Sequence, residues 1–147
     1  MKFAELAAAG RFVLGPVTLD SSEVVDFASS FDDQWFHTDP EAAADGPFGG
    51  LIASGWHTCG LAMRLVSREL LAGSESFASP GLNYLRWPHP VRPGDRLMLE
   101  VNVIEARRSA SRPQLGILRW QWVMRNGDGD GDVVLDLEAT SMFKLDD

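Results

Sequence analysis

The alternation of apolar and polar residues is clearest in the second half of the chain. Leu97, Leu99, Val101 and Val103 share one side of a period-two pattern, and in the next run Leu118, Trp120, Trp122 and Met124 oppose Ile117, Arg119, Gln121 and Val123. Period two marks a strand with one buried face. Arg96 to Arg107 and Leu115 to Asn126 therefore read as strands, with Leu82 to Val91 and Val133 to Lys144 completing a set of four. Arg92-Pro93-Gly94-Asp95 and the glycine-rich Asn126 to Gly131 are turn sequences, short enough to make neighbouring strands antiparallel.

The first half reads differently. After a start without clear pattern, Phe12 to Thr18 is a short strand, and Ser21 or Ser22 caps a helix over Glu23 to Ser29. Asp39-Pro40 is a second helix start, an N-cap aspartate followed by a proline that loses no hydrogen bond at the first helical position, and predicts a brief helix over Glu41 to Asp45. From Leu51 to Leu71 no strand signal appears, the first charge is Arg64, and Gly73 stands where a C-cap glycine belongs. This is one long helix. Its first half is apolar or small nearly all round, which predicts a helix enclosed by other structure.

A strand, an enclosed helix and a four-strand meander make an α+β domain, with a curved antiparallel sheet wrapped around a long central helix. One such sheet covers only one side of itself, so a homodimer or higher homo-oligomer is expected. The length of 147 residues fits a single domain over residues 1–147.

Composition narrows the function. Apolar residues make up 45% and charged residues 23%, the balance of a folded globular chain. A formal net charge of −8 argues against nucleic acid as a partner, since neutralising phosphates takes an excess of Lys and Arg. Between Arg86 and Arg112, however, six arginines face three acids, a local balance of +3 that would suit a small polyanion. Cys59 is the only cysteine and sits in an apolar stretch, so it reads as a packing residue and not as a nucleophile. The uncharged run from Gly46 to Met63 is too short and too polar to span a membrane, and a cytoplasmic protein is expected.

Candidate chemistry gathers in FDDQWFHTDPEAAADGPFGGLIASGW, residues 31–56. Asp32 and His37 lie five residues apart between two predicted helices. A carboxylate and an imidazole take opposite protonation roles near neutral pH and so can hold one water and move its protons. Burial against Trp35, Phe36 and Phe48 would raise the Asp32 pKa. The residues leave a plainer alternative open, in which Asp32 caps a turn and His37 satisfies a backbone carbonyl. Gly55, near the start of the long helix, would let a carbonyl oxygen approach a backbone N–H where the helix field favours negative charge; it serves equally as a packing glycine. Ser54 and Trp56 flank it. His57 and His89 are weaker candidates, and Asp128, Asp130 and Asp132 belong to a hairpin turn, not to a calcium loop.

These residues resemble the MaoC-type dehydratases, relatives of (R)-specific enoyl-CoA hydratases with the hotdog fold. That pattern runs Asp-x-Asn-Pro-x-His, then Asp-Pro, then Phe-Gly, then His-Gly on the central helix. Asp32, His37, Asp39-Pro40, Ala43, Phe48-Gly49 and Gly55 fall in register, while Gln34, Trp35 and Ser54 replace the motif's Asn, Pro and His. The resemblance implies a hydro-lyase acting on an enoyl thioester, with coenzyme A as part of the substrate and no metal or other cofactor. It assigns Asp32 and His37 to the water, Gly55 N–H to the thioester carbonyl, and Trp35, Phe36, Phe48, Ser54 and Trp56 to the acyl site. Two other outcomes stay open: an acyl-CoA thioesterase on the same fold, disfavoured because the first acid on the long helix is Glu69, and a non-catalytic acyl-thioester-binding protein.

Overall fold

The computed structural model describes residues 1–146. Its order is α1 (Phe3–Ala9), β1 (Arg11–Thr18), α2 (Ser21–Phe31), α3 (Trp35–Thr38), α4 (Pro40–Ala44), α5 (Gly55–Val66) continued by a π-helical turn (Ser67–Leu71), β2 (Ser76–Arg86), β3 (Arg96–Arg108), β4 (Leu115–Arg125) and β5 (Val133–Lys144). The strands form one antiparallel sheet in the order β1-β3-β4-β5-β2. The meander β3-β4-β5 is its middle, and β1 and β2 are its edges. This is the expected α+β hotdog arrangement of a curved sheet and a central helix.

The period-two pattern translates directly into burial. Leu97, Leu99 and Val101 of β3, Leu118, Trp120 and Met124 of β4, and Leu135 and Phe143 of β5 are buried on the face that meets α5. From α5 that core receives Leu61, Ala62 and Val66, and from α2 it receives Val24. At about 25 cal/mol per Å² of apolar surface, a shared apolar face of this size is what fixes the helix across the sheet.

Several expectations shift. The central helix begins at Gly55, not Leu51. Residues 51–54 are buried but belong to no helix or strand, and two of their backbone N–H groups are engaged elsewhere: Ile52 N–H donates to Phe36 O at 3.2 Å and Ala53 N–H to Val91 O at 2.8 Å. Nor is α5 enclosed all round, since Trp56, Gly60 and Met63 form an exposed stripe opposite its buried one. The strand expected over Leu82 to Val91 is instead Ser76–Arg86, because Pro88 and Pro90 cannot donate to a ladder. The opening residues form α1, which sequence pattern missed; Leu6 is its only buried residue, too little to show periodicity. Finally, α2 is capped by Asp20, whose carboxylate accepts from Glu23 N–H at 2.8 Å while the Glu23 side chain reaches back to Asp20 N–H.

Candidate active site

The site is built where three chain segments meet. Asp32 is the C-cap of α2, its backbone N–H bonded to Ala28 O at 2.8 Å. His37 lies on the single turn of α3, a helix in a stretch whose pattern announced none, and is only 5% exposed. Residues 51–54 contact both, through Ile52 O to His37 and Ser54 Oγ to Asp32, and lead into α5.

His37 Nδ1 lies 2.6 Å from Ile52 O. A carbonyl only accepts, so Nδ1 carries the proton and donates. That orients the ring so that Nε2 faces Asp32 Oδ2 at 3.2 Å. The plain role left open for His37, satisfying a carbonyl, is therefore real, but it uses one nitrogen and aims the other at the carboxylate. Asp32 is held from two more sides: Gln34 Nε2 donates to Oδ1 at 2.5 Å, and Ser54 Oγ donates to Oδ2 at 2.7 Å.

These contacts overturn the expected direction of the Asp32 pKa. The Gln34 amide chiefly, with the Ser54 hydroxyl and the charge of His37, holds the carboxyl below its ordinary value, and burial opposes without prevailing. The reason is steric. Trp35, Phe36 and Phe48 do not seal Asp32 in apolar surroundings, and its side chain stays 16% exposed. Donors to the ionised form then outweigh desolvation.

Asp32 and His37 open into a cavity of about 450 Å³, whose wall includes Gln34, Phe48, Ile52, Gly55, Trp56, Trp87 and His89. Of the residues expected at the acyl site, Phe48 and Trp56 line it, while Trp35, Phe36 and Ser54 do not. Trp35 is turned outward over Gly46, where an added Cβ would stand 2.8 Å from the indole, so it does not plug the cavity. Phe36 is wedged between Trp35 and His37, with ring centroids 5.4 and 4.3 Å away. Ser54 is fully buried, its hydroxyl bound to Asp32 Oδ2.

Gly55 lines the cavity at the first position of α5, where N–H groups lack intrahelical acceptors. Its missing side chain has a definite neighbour: a Cβ there would lie 2.5 Å from Trp87 Cδ2 and closer still to Cε2. Trp87 in turn meets Trp56 edge-to-face at 5.2 Å. Trp87 and His89, ranked from sequence below Trp56 as site candidates and read as strand residues, belong to the irregular connection between β2 and β3, and both line the cavity. His57 is elsewhere, stacked on Phe27 at 4.4 Å. Burial pushes its pKa down.

The arginines are mostly engaged. Arg92 Nη1 donates to Phe48 O at 2.6 Å and so holds the loop before α5, and Arg96 pairs with Asp128 at 2.5 Å across the turn from Asn126. Cys59 has its thiol pKa raised by burial, as suits a packing residue. Among the described residues, no helix is long and apolar enough to cross a membrane.

Comparison with known proteins agrees with this architecture. A solved structure described as a MaoC-like dehydratase, from Rhodospirillum rubrum, superposes with a TM-score of 0.82 at 37% identity, covering 93% of this chain and 92% of that one. The (R)-hydratase from A. caviae involved in PHA biosynthesis superposes with a TM-score of 0.67 at 25% identity, over 92% of each chain. The 3-hydroxyacyl-thioester dehydratase Z of Mycobacterium tuberculosis is 42% identical over 99 residues, 64% of this chain and 66% of that protein. Since residues 7–117, which carry the Asp32–His37 pair and the start of α5, also match the family model described as a MaoC like domain, this chain belongs to the MaoC-like domain family of hydratases and dehydratases.

Proposed function

We propose that this protein adds water to, or removes it from, the double bond of an enoyl thioester, an enoyl-CoA and its 3-hydroxyacyl-CoA being the reactant pair. The observation that carries this reading is the approach of Asp32 Oδ2 to His37 Nε2 at 3.2 Å, beside a cavity that reaches the first turn of α5.

In the hydration direction, a water held by Asp32 and His37 gives up a proton to the pair as its oxygen bonds to C3. The C2=C3 electrons move toward the thioester carbonyl. Gly55 N–H and the positive end of α5 stabilise the resulting enolate oxygen, and C2 then takes a proton from the pair, which returns to its starting state. Dehydration runs through the same steps in reverse. The low pKa of Asp32 supports this assignment, because an ionised carboxylate accepts hydrogen bonds from water and does not donate them. Only water, these two side chains and the backbone at the start of α5 take part; no metal or redox cofactor is needed.

The assembly is a homodimer formed through β2. This strand is a sheet edge, and exposed Leu82 on it lies with Trp56 and Met63 of α5 around one apolar hollow that a second copy would cover.

The test is incubation with crotonyl-CoA. Loss of enoyl absorbance without free thiol is the expected result, and thiol release would identify a thioesterase instead. Asp32→Asn and His37→Ala should each lower kcat by at least about 10²-fold while leaving the unfolding transition in place. Near-normal turnover in either variant removes that residue from the mechanism.

A further inference from the structure

Serine is among the best helix N-caps, because its oxygen can accept from the free N–H groups of the first turn. Ser54 is the N-cap of α5, yet its side chain caps nothing. The hydroxyl instead donates to Asp32 Oδ2 at 2.7 Å, a residue 22 positions earlier. Ser54 is 0% exposed and lies outside the cavity wall, so substrate has no access to it.

We infer that Ser54 is a positioning residue that fixes the Asp32 carboxylate against His37 and, by forgoing its capping role, leaves the first N–H groups of α5 open to the substrate's oxygen. The two donors to Asp32 differ in kind. Gln34 is exposed and only two residues away, so it moves with the carboxylate. Ser54 comes from another element and ties the end of α2 to the start of α5, which makes the position of the water relative to the Gly55 N–H a property of one hydrogen bond.

The other groups around Asp32 do not duplicate this. His37 faces Oδ2 from α3. His89 also lines the cavity, and its Nδ1 donates to Val133 O at 3.1 Å. Asp33 is exposed, Arg92 is bound to the Phe48 carbonyl, and His57, in the first turn of α5, stacks on Phe27. A donor to the ionised carboxylate lowers its pKa, so removing Ser54 raises it.

The role of the carboxylate in turnover rests on the proposed function, but its titration does not, and the experiment uses both. In protein carrying ¹³C-labelled aspartate, Ser54→Ala should raise the Asp32 titration midpoint by about one to two pH units, the equivalent of one hydrogen bond to a charged group. Ser54→Thr, which keeps a hydroxyl, should restore the wild-type midpoint. With crotonyl-CoA, Ser54→Ala should lower kcat about tenfold or more, leave KM within about twofold, and move the acid limb of the pH profile upward with the titration. If Ser54→Ala does not fold, Ser54→Cys, nearly isosteric with a weaker donor, should shift the midpoint in the same sense by less. An unchanged midpoint in a folded variant overturns the inference. A shifted midpoint in a protein whose wild type hydrates no thioester supports the role of Ser54 and sinks the proposed reaction instead.

Discussion

Substituting Gly55 with alanine separates two reasons for a glycine at the head of α5. Its backbone is helical, not left-handed, so no φ restriction requires glycine there. By helix propensity alone the change should stabilise the protein by up to about 1 kcal/mol. The neighbour reverses that sign: the new methyl would fall 2.5 Å from Trp87 Cδ2, and Trp87 must move. Forced repacking of this kind costs about 1–3 kcal/mol. Displacing Trp87 also breaks its edge-to-face contact with Trp56, worth about 0.5–1.5 kcal/mol. The net expectation is a loss of about 1–3 kcal/mol, or a Tm lower by roughly 3–10 °C for a chain of this size. Because the methyl and the displaced indole crowd the Gly55 N–H, kcat/KM for crotonyl-CoA should fall by about 10²-fold, as when one oxyanion donor is lost. Urea unfolding of Gly55→Ala, Trp87→Ala and the double variant checks the cause. The double variant should be more stable than the sum of the single losses predicts, since removing the indole relieves the clash. A Gly55→Ala protein as stable and as active as the parent would refute the reasoning.

Trp56 lines both the cavity beside Asp32 and His37 and a second, apolar cavity of about 410 Å³ bounded by Met63, Leu82 and Leu137; Trp56→Ala should join them and raise kcat/KM for octenoyl-CoA relative to crotonyl-CoA, and an unchanged ratio would show that the acyl chain does not pass this side chain. Because the folded-state pKa of Asp32 is depressed, its contribution to stability is present above its ordinary value of 3.8 and is lost as pH falls through the lower folded value. The difference in unfolding free energy between wild type and Asp32→Asn should therefore shrink as pH is lowered from about 7 to about 3; a constant difference contradicts the assignment. Leu82→Lys places a charge on the exposed β2 margin and should shift the protein toward monomer in sedimentation velocity, while an unchanged dimer would locate the interface elsewhere.

The sequence by itself determined the sheet's interior and singled out the Asp32–His37 pair that the fold brings together. Leu97, Leu99, Val101 and the even-numbered residues of β4 declare their face because side chains alternate across any strand, whatever it packs against. Asp32 and His37 were legible because a five-residue spacing and the Asp39-Pro40 and Phe48-Gly49 signals that follow are local features. Tertiary structure alone decided what surrounds them. The carboxylate's pKa falls because Gln34 and Ser54 turn their donors toward it, which no spacing reveals, and Ser54 even abandons the capping role its type and position predict. Leu51 to Ser54 carry a helix-compatible composition but lie outside α5, since the Ile52 and Ala53 N–H groups are taken by the carbonyls of Phe36 and Val91. Trp35, expected at the acyl site, packs over Gly46 and is sent outward. The need for glycine at position 55 arises from an indole 32 residues away. Local chemistry is written along the chain, whereas which donor meets which acceptor depends on contacts between segments that only folding brings together.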